Sequence, residues 1–352
     1  MPSDRKSAVA LIGFGPGGRI YHAPFISSTE ELELAVIVTS NPARADQARA
    51  EYPHARVVNS AEELFANPAD VDLAVVTTPN RTHVPLARQA LESGLHVVVD
   101  KPIAPASVEA RQVADEAQRR GLVLTPYHNR RFDGDFLTLR RLLREHALGE
   151  TMRFESRFER WRPEPKPGWR ESADPADAGG VLFDLGPHLI DQALLLFGPA
   201  TEVYAEIDRR RAGVEVDDDV FIALTHASGV QSHLWMSAFA ANAGPRFRVL
   251  GRTAAYTKFG MDVQEAALLR GERPRDMNWG VESPESWGTL GVGDDVHRVP
   301  SEPGRYQDFY RGVARAIRGL EPPPVDPRDA IAGLEIIEAA RLSASQRRIV
   351  TL

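Results

Sequence analysis

The chain contains no cysteine among its 352 residues. This absence excludes disulfide bonds, thiolate nucleophiles and cysteine-ligated metals, and it fits a protein of the reducing cytoplasm. We find no stretch approaching the roughly 20 apolar residues that a membrane-spanning helix needs. The N-terminal residues 1–6 also lack the longer apolar run of a signal peptide. We therefore expect a cytoplasmic protein with no membrane partner.

An excess of positive charge is missing as well. The chain has 42 Lys and Arg against 49 Asp and Glu, which gives a net charge of -7. This balance argues against nucleic acids and anionic membrane surfaces as partners. His22, His83 and His128 lie near predicted strand ends, but no ligands at metal-binding spacing accompany them, so we expect no metal. We expect His22 to cap the first helix and His83 to pack near the cofactor loops.

The first third of the chain alternates strand and helix patterns. This alternation indicates a parallel sheet with helices on both faces. The predicted strands are 9–13, 34–39, 73–78, 96–101 and 122–127, and the predicted helices are 43–52, 61–66, 83–93 and 107–120. Ligands of such sheets bind at the carboxyl ends of the strands. We expect the loops at 13–18, 39–41, 78–80 and 100–102 to converge there.

A glycine-rich turn follows the first predicted strand and precedes a possible helix. Its members are Gly13, Phe14, Gly15, Gly17 and Gly18, in a G-x-G-x-x-G pattern. In a dinucleotide site the first glycine permits the tight turn, the second lets the backbone approach the pyrophosphate, and the third lets helix and strand pack closely. The free N–H groups of the helix face the anion. An ordinary glycine-rich turn between a strand and a helix is the alternative.

Lys101 ends the strand 96–101 at the edge where ligands are expected. An ammonium group held there can bind a substrate hydroxyl and favour loss of its proton. A lysine that merely extends its charge to solvent from a strand end is the alternative.

Asp184 and His188 form a second candidate pair, within the apolar helical pattern 181–197. They are four residues apart and therefore share one helix face. A carboxylate that orients an imidazole gives a plausible general base for an alcohol proton. We expect Gly186 and Pro187 to bend this helix locally. A helix-start aspartate and a hydrogen-bonded core histidine are the alternative.

The rest of the chain has the pattern of a second domain. A helix at 135–146 and a strand at 151–160 precede a proline-rich loop at 161–177, and alternating segments at 201–208, 220–225, 230–237, 247–250 and 254–259 predict antiparallel strands. We expect long loops over 270–304 and helices at 305–318 and 326–347. Asp217, Asp218 and Asp219 are interpreted as the solvated charges of a turn. The predicted domains are 1–127 and 128–352, and we expect the final helix to pack back towards the first.

The end of the second strand bears on the choice of cofactor. Sites that prefer NAD usually place an acid there for the ribose 2′-hydroxyl. This chain has no acid there; Ser40 and Asn41 can hydrogen-bond a 2′-phosphate, and Arg44 can pair with it. We therefore favour NADP over NAD. If Arg44 is simply solvated, either cofactor binds.

Further polar and aromatic residues are candidates for the substrate site. Tyr127, Asn129 and Arg130 follow the last strand of the first domain. Trp161, Trp169 and Arg170 lie in the proline-rich loop, and such residues suit the C–H face and hydroxyls of a sugar or cyclitol. Surface packing of the tryptophans is the alternative.

The motifs together resemble one family. The glycine turn, Thr78-Pro79-Asn80, Asp100-Lys101-Pro102 and the segment from Gly179-Gly180 through Asp184 to His188 stand in the order of the glucose-fructose oxidoreductase / inositol dehydrogenase / MocA family. The stretches 129–133 and 160–171 are similar to a narrower subgroup that includes NADP-dependent scyllo-inositol dehydrogenases. Asp100 departs from the family, which more often has glutamate there, and the departure bears on how Lys101 is held.

The resemblance implies an α/β protein with an N-terminal Rossmann dinucleotide-binding domain. It also implies a C-terminal α+β domain with a large, open, mostly antiparallel sheet that commonly builds homodimers or homotetramers. Lys101 would contact the substrate hydroxyl, His188 would accept its proton and Asp184 would be the partner of His188. The cofactor site would include Thr78, Pro79, Asn80, His83, Asp100 and Pro102. We expect an NAD(P)-dependent oxidoreductase of a sugar or cyclitol; another carbonyl reductase and a non-catalytic NADP-binding regulator are the alternatives.

Overall fold

The computed structural model describes residues 5–68, 70–165 and 168–352. The first four residues, Ala69 and the pair Lys166-Pro167 lie outside the described residues, and with them parts of the N-terminal segment and of the proline-rich loop discussed above. The chain divides into two compact units. The first comprises Met1–Asn129, Gln264–Trp279 and Arg305–Ile331, and the second Arg130–Val263, Gly280–Gly304 and Ala332–Leu352. The second unit thus starts at Arg130, and two segments that follow it in the chain belong to the first unit.

The first unit is built on a parallel sheet. Its strands are β1 (Ser7–Ile12), β2 (Leu32–Val38), β3 (Arg56–Val58), β4 (Leu73–Val76), β5 (His96–Val99) and β6 (Leu124–Pro126). Its helices up to this point are α1 (Ala23–Ser28), which follows a π-helical turn over Gly17–His22, then α2 (Pro42–Glu51), α3 (Ala61–Ala66), α4 (His83–Glu92) and α5 (Ser107–Arg120). The strand order β3-β2-β1-β4-β5-β6 is that of a doubly wound sheet. The Rossmann prediction is confirmed.

Apolar runs explain why these strands lie inside. Every residue of β4 is buried, as are Val97, Val98 and Val99 of β5, because helices cover both faces of a parallel sheet. β3 is short and was not predicted, since three residues carry no readable alternation. Where the order reverses, between β1 and β4, the polar loops that follow both strands meet at one edge.

The remaining elements follow in chain order. The helices are α6 (Gly134–Arg144), α7 (Val181–Phe197), α8 (Val263–Leu269), α9 (Gln307–Ile317) and α10 (Pro327–Gln346). The strands are β7 (Thr151–Glu159), β8 (Ala200–Asp208), β9 (Asp219–His226), β10 (Gln231–Ser237), β11 (Phe247–Gly251), β12 (Ala255–Lys258), β13 (Gly288–Val292), β14 (Asp295–Val299) and β15 (Val350–Thr351). The region 270–304, predicted as loops, contains the β13–β14 hairpin. That expectation was wrong because glycine and charged residues are typical of loops, and they also occur in a hairpin at the edge of a sheet.

The second unit is built on a large sheet with the order β14-β13-β12-β11-β7-β10-β9-β8-β15. Neighbouring strands pair antiparallel except β7 and β10, which pair parallel. Along β9, buried and half-buried residues alternate, as they do when one face of a sheet is covered. Helix α7 packs on β7, β9 and β10. The predicted mostly antiparallel sheet is confirmed.

Helix α7 runs unbroken from Val181 to Phe197 with Pro187 inside it. The local bend expected at Gly186-Pro187 stays a prediction. With the turn before it, the segment Pro175–Phe197 is long and apolar enough to cross a membrane by length and composition, so the expectation that no such stretch exists was wrong. Most of it is buried in this fold, and the core helix of a soluble protein has the same composition.

Candidate active site

The glycine turn between β1 and the π-helical turn has no room for side chains at two positions. Gly13 has φ +104°, a left-handed conformation that favours glycine. A Cβ on Gly18 would overlap the carbonyl oxygen of Gly13 and lie 2.6 Å from Oγ1 of Thr77. Gly18 therefore lets the helical segment pack directly on the ends of β1 and β4. The first and third glycines of the motif have the roles that its spacing predicts.

The space over Gly15 is open, in contrast. The nearest atom to a Cβ on Gly15 would be Nη1 of Arg44, at 3.7 Å. Backbone N–H groups at the start of the helical segment, together with this open glycine, form the cradle that a pyrophosphate requires. Phe14 does not face this space, because its buried ring packs edge-on against Tyr52 with centroids 6.1 Å apart. The residues present fit a dinucleotide cofactor.

Arg44 brings a cation to the glycine turn. It stands in the first turn of α2, where its backbone N–H donates to Oδ1 of Asn41 at 3.1 Å, so that Asn41 caps the helix. Ser40, Asn41 and Arg44 are all exposed. The cap fixes the start of α2, and the Arg44 side chain reaches back over Gly15. A cation and two hydrogen-bonding side chains thus follow β2, with no carboxylate among residues 39–44.

His83 connects two of the loops at this edge. Its Nδ1 lies 2.8 Å from the carbonyl oxygen of Pro102, and its Nε2 lies 2.8 Å from that of Thr78. Burial lowers the pKa of His83, while the nearby Asp100 opposes this shift. Asn80, in the same segment, is also buried. His83 therefore lies beneath the loops after β4 and β5 and holds them together.

Asp100 and Lys101 follow β5 directly. The N–H of Lys101 donates to Oδ1 of Asp100 at 2.8 Å, and the Lys101–Pro102 peptide bond is cis. Burial alone would raise the pKa of Asp100, but contact with His22 and the neighbouring Lys101 and His83 lower it to about 2. The carboxylate is therefore ionised throughout the neutral range. A fixed negative charge stands beside the residue predicted to bind the substrate hydroxyl.

His22 and Tyr127 are both buried in the first unit. His22 was expected to cap a helix, but its ring makes no cap hydrogen bond and faces Tyr310 and Asp100 instead. Tyr127 was predicted to line the substrate cleft. It is 2% exposed, its hydroxyl donates to the carbonyl oxygen of Tyr21 at 2.7 Å, and its ring lies 4.0 Å from that of His22. Its role towards a substrate stays a prediction.

In the second unit, α7 carries Asp184 in its first turn and His188 one turn later. His188 is 7% exposed and its ring stacks on Phe158 with centroids 6.5 Å apart. Asp184 is more accessible, and its Oδ1 accepts from Nε of Arg170 at 3.3 Å. The loop residue Arg170 thus reaches the helix face that carries the predicted pair.

Phe158 is bordered by two guanidinium groups. The Cζ atoms of Arg130 and Arg160 lie 4.7 and 4.5 Å from its ring centroid. Arg130 is buried and also pairs with Asp133 at 3.3 Å. Cations over an aromatic face are attracted by its negative charge density. The surroundings of His188 in this unit are therefore aromatic and basic.

The other predicted substrate residues lie as follows. Trp161 is 53% exposed and stacks on Phe239 at 4.9 Å. Trp169 is half-buried beneath the guanidinium of Arg170, 4.2 Å from its ring centroid. Asn129, the last residue of the first segment of the first unit, is buried. None of these positions tests the predicted substrate contacts.

Asp217 was predicted to be a solvated charge of a turn, and this prediction was wrong. It is 8% exposed, and its Oδ2 accepts from the N–H of Leu182 at 2.7 Å, while its carbonyl oxygen accepts from Val181. Asp218 is fully buried and accepts from Arg211. Asp217 thus caps the start of α7 from a distant loop. A run of three aspartates before a strand gave no signal of this, because capping across 35 residues leaves no local pattern.

No group of three or more metal-ligating side chains occurs within residues 5–68, 70–165 and 168–352. The groups described above that can take part in chemistry are the nucleotide cradle, Lys101 beside Asp100, and the Asp184–His188 helix face. The first is a binding device. The other two supply a cation and an imidazole, which are groups that bind hydroxyls and transfer protons.

Comparison with known proteins agrees with this arrangement. Residues 7–128 match the family model described as oxidoreductase family, NAD-binding Rossmann fold, and residues 136–257 match the GFO/IDH/MocA C-terminal domain. The chain is 34% identical to scyllo-inositol 2-dehydrogenase (NADP(+)) IolW of Bacillus subtilis over 98% of this chain and 95% of that protein.

Two further relatives cover nearly the whole chain. The uncharacterized oxidoreductase YdgJ of Escherichia coli is 38% identical, with 98% of each chain covered. The solved structure of YvaA from Bacillus subtilis has a TM-score of 0.94, with 32% identity and 99% of each chain covered. The chain therefore belongs to the GFO/IDH/MocA family of oxidoreductases with an NAD(P)-binding Rossmann fold.

Proposed function

We propose that the protein is an NAD(P)-dependent dehydrogenase of polyols, with a cyclitol of the scyllo-inositol kind as its favoured substrate. The observation that carries the proposal is the placement of Lys101. It directly follows a strand of the nucleotide-binding sheet, beside an ionised Asp100. The relative IolW, whose name gives scyllo-inositol 2-dehydrogenase, supports this choice of substrate over the full chain.

Each polar group has a distinct role in the proposed reaction. The ammonium of Lys101 donates a hydrogen bond to the substrate hydroxyl and stabilises negative charge as its oxygen loses a proton. His188, oriented by Asp184, accepts that proton. When bound, the cofactor would supply the acceptor for the hydride that leaves the carbon bearing the hydroxyl. In the reverse direction His188 returns the proton to a carbonyl oxygen.

We propose NADP as the preferred cofactor. Arg44, which lies over Gly15, supplies the positive charge that a 2′-phosphate needs, and Ser40 and Asn41 supply hydrogen-bonding groups. The absence of a carboxylate after β2 removes the group that would repel this phosphate. IolW, by its name, uses NADP(+). We further propose that the protein forms a homodimer or homotetramer through the large sheet and that it is cytoplasmic.

The first experiment tests turnover and residue roles together. The protein is given NADP or NAD with a panel of inositols, sugars and sugar acids, and reduced nicotinamide is followed by absorbance. Lys101→Ala and His188→Ala should lower kcat by about 100-fold or more while the Kd for NADP changes little, since general acid-base groups supply about 10²–10⁴-fold. Lys6→Ala and His297→Ala, at exposed positions, are the matched controls. Full turnover in either active-site variant would contradict the role of that residue.

The cofactor proposal has its own variant. Arg44→Ala should raise the KM for NADP by about 10-fold or more and leave that for NAD nearly unchanged, because a charge-assisted hydrogen bond contributes about 1.5–3 kcal/mol. Arg49→Ala, on the same helix and paired with Asp46, is the control. Equal losses with both cofactors would contradict the 2′-phosphate role. Cofactor binding without turnover on any polyol would favour a carbonyl reductase with another substrate or a regulatory NADP-binding protein.

A further inference from the structure

His22 is a fully buried histidine that the proposed reaction does not use. It ends the π-helical turn that follows the glycine turn. Its Nδ1 lies 2.6 Å from the hydroxyl oxygen of Tyr310, which is also fully buried. Its Nε2 lies 3.9 Å from Oδ2 of Asp100. The imidazole therefore stands between a phenol from α9 and the carboxylate beside Lys101.

The chemistry of the two neighbours fixes the hydrogens of this ring. A carboxylate only accepts, so the nitrogen that faces Asp100 carries its hydrogen, since a bare lone pair would be repelled. In the neutral ring, Nδ1 is then the acceptor, and Tyr310 donates to it. Burial raises the pKa of Tyr310 well above its usual value, with Tyr127 and Asp100 adding to the shift, so the phenol keeps its proton. The hydrogens point from Tyr310 through His22 towards Asp100.

The carboxylate of Asp100 lies near both the glycine turn and the backbone of Lys101. Its Oδ2, the atom nearest His22, lies 3.6 Å from where a Cβ on Gly17 would stand. Its Oδ1 accepts from the N–H of Lys101 at 2.8 Å. One side chain thus connects the nucleotide turn with the residue that follows β5. Whatever orients this carboxylate also orients the backbone at Lys101.

We propose that His22 is a positioning residue, which directs the Asp100 carboxylate and thereby sets the place and the electrostatic surroundings of Lys101. The inference rests on the proposed function of Lys101. It assigns to Tyr310 the supporting role of fixing the His22 tautomer. The His22 N–H faces Oδ2 of Asp100 across 3.9 Å.

The charged and titratable groups that face Asp100 are consistent with this role. They are His22 from the π-helical turn, Lys101 from its own loop and His83 from α4, with Tyr310 behind His22. His22, Lys101 and His83 together lower the pKa of Asp100 to about 2, against its burial. Loss of the His22 N–H removes one of them, so the pKa of Asp100 should rise and its carboxylate should become protonated at a less acidic pH.

A purely packing role for His22 predicts a different order of variants. The ring of His22 lies 4.0 Å from that of Tyr127, so an aromatic replacement keeps the packing. His22→Phe retains the ring and loses both nitrogens. His22→Gln loses the ring and retains an N–H donor at a comparable reach. Positioning predicts that Gln is tolerated better than Phe, and packing predicts the reverse.

The kinetic test compares His22→Phe, His22→Gln and Tyr310→Phe with the control Thr125→Val. The control loses one buried hydrogen bond of the same unit, from Thr125 to the carbonyl oxygen of Val325 at 2.8 Å. His22→Phe should lower kcat on the polyol by about 10- to 100-fold, the scale of a misplaced reacting group, while the Kd for NADP changes by less than about threefold. His22→Gln should recover most of the loss. The acid limb of the pH–kcat profile should move to higher pH in His22→Phe and stay in place in the control.

A second measurement does not depend on activity. Nitrogen-15 NMR of histidine-labelled protein, assigned with the His22 variants, distinguishes the ring tautomers. A proton on Nε2, alone or with a second proton on Nδ1, supports the proposal. A ring protonated only at Nδ1 would overturn it, as would His22→Phe with unchanged kcat and pH profile. If Lys101→Ala is fully active, the proposed function fails, and the NMR result still decides the state of His22.

Discussion

The two sheets of this protein place their polar residues in different ways. In the first unit, the side chains of interest stand in loops directly after β1, β2, β4 and β5. The parallel arrangement brings those strand ends to one edge whatever the loops contain. In the second unit, the predicted pair stands on one helix, α7, and its start is fixed by Asp217 from a loop before β9. Topology determines the first site, whereas long-range packing determines the second.

The largest expected effect comes from breaking the glycine turn. Gly18→Ala places a Cβ on the carbonyl oxygen of Gly13 and near Thr77, so backbone must move. We expect a loss of about 3 kcal/mol in the free energy of unfolding, the upper range for overpacking, and loss of NADP binding. Gly15→Ala meets its nearest atom at 3.7 Å and should keep its stability while the Kd for NADP rises. Calorimetric titration and thermal unfolding measure both effects.

Equal stability of Gly18→Ala and wild type would show that this turn is looser than the structure indicates. It would also remove the reason for distinguishing the two glycines. If Gly15→Ala bound NADP as tightly as wild type, the open space over Gly15 would not be the pyrophosphate cradle. The fold could survive both results, but the assignment of the nucleotide site could not.

The matching change in the second unit is Asp217→Ala. It removes the acceptor for the N–H of Leu182 at the start of α7, and we expect a loss of about 1–2 kcal/mol in the free energy of unfolding, as for other helix caps. Because Asp184 lies in that first turn, kcat should fall more than the Kd for NADP rises. Asp219→Ala, two residues away and partly exposed beside Arg210, is the control. Equal stability losses in both variants would mean that the cap at Asp217 has no special role.

The difference between the units also explains what the sequence could and could not predict. Helix 181–197 and the parallel strands were predictable, because apolar runs and periodicity are local signals. The roles of Gly13 and Gly18 followed from the motif, since its spacing encodes one geometry. The β13–β14 hairpin was missed because both strands have only five residues and four of the five in β14 are exposed.

The contacts of the site were harder to predict than the elements that carry it. Asp217 was interpreted as a solvated turn residue, but in the folded chain its carboxylate accepts a hydrogen bond from the N–H of Leu182. His22 and Tyr310 are 288 residues apart, so no spacing in the sequence relates them. A buried polar group needs a partner, but sequence alone does not say which one. Motifs predicted where chemistry occurs, and tertiary packing determined which side chains support it.

The smallest expected effect contrasts one carboxylate from each unit. The pKa of Asp100 is lowered to about 2, so its ionised form stabilises the fold above pH 4, and this contribution is lost as the pH falls towards 2. Burial raises the pKa of Asp217, with the Leu182 N–H opposing the shift. Its contribution therefore has the opposite sign: it is present below the ordinary pKa of an aspartate and is lost as the pH rises through the raised value.

The free energy of unfolding is measured from pH 2 to pH 7 for wild type, Asp100→Asn and Asp217→Asn. The first difference is wild type minus Asp100→Asn, and the second is wild type minus Asp217→Asn. The first difference should increase with pH by about 1 kcal/mol, allowing for the partial exposure of the carboxyl group. The second should decrease with pH. Asparagine keeps an oxygen that can accept from Leu182, so the comparison isolates the charge. Slopes of the same sign would mean that the two carboxylates experience similar surroundings, and the contrast between the units would not extend to their electrostatics.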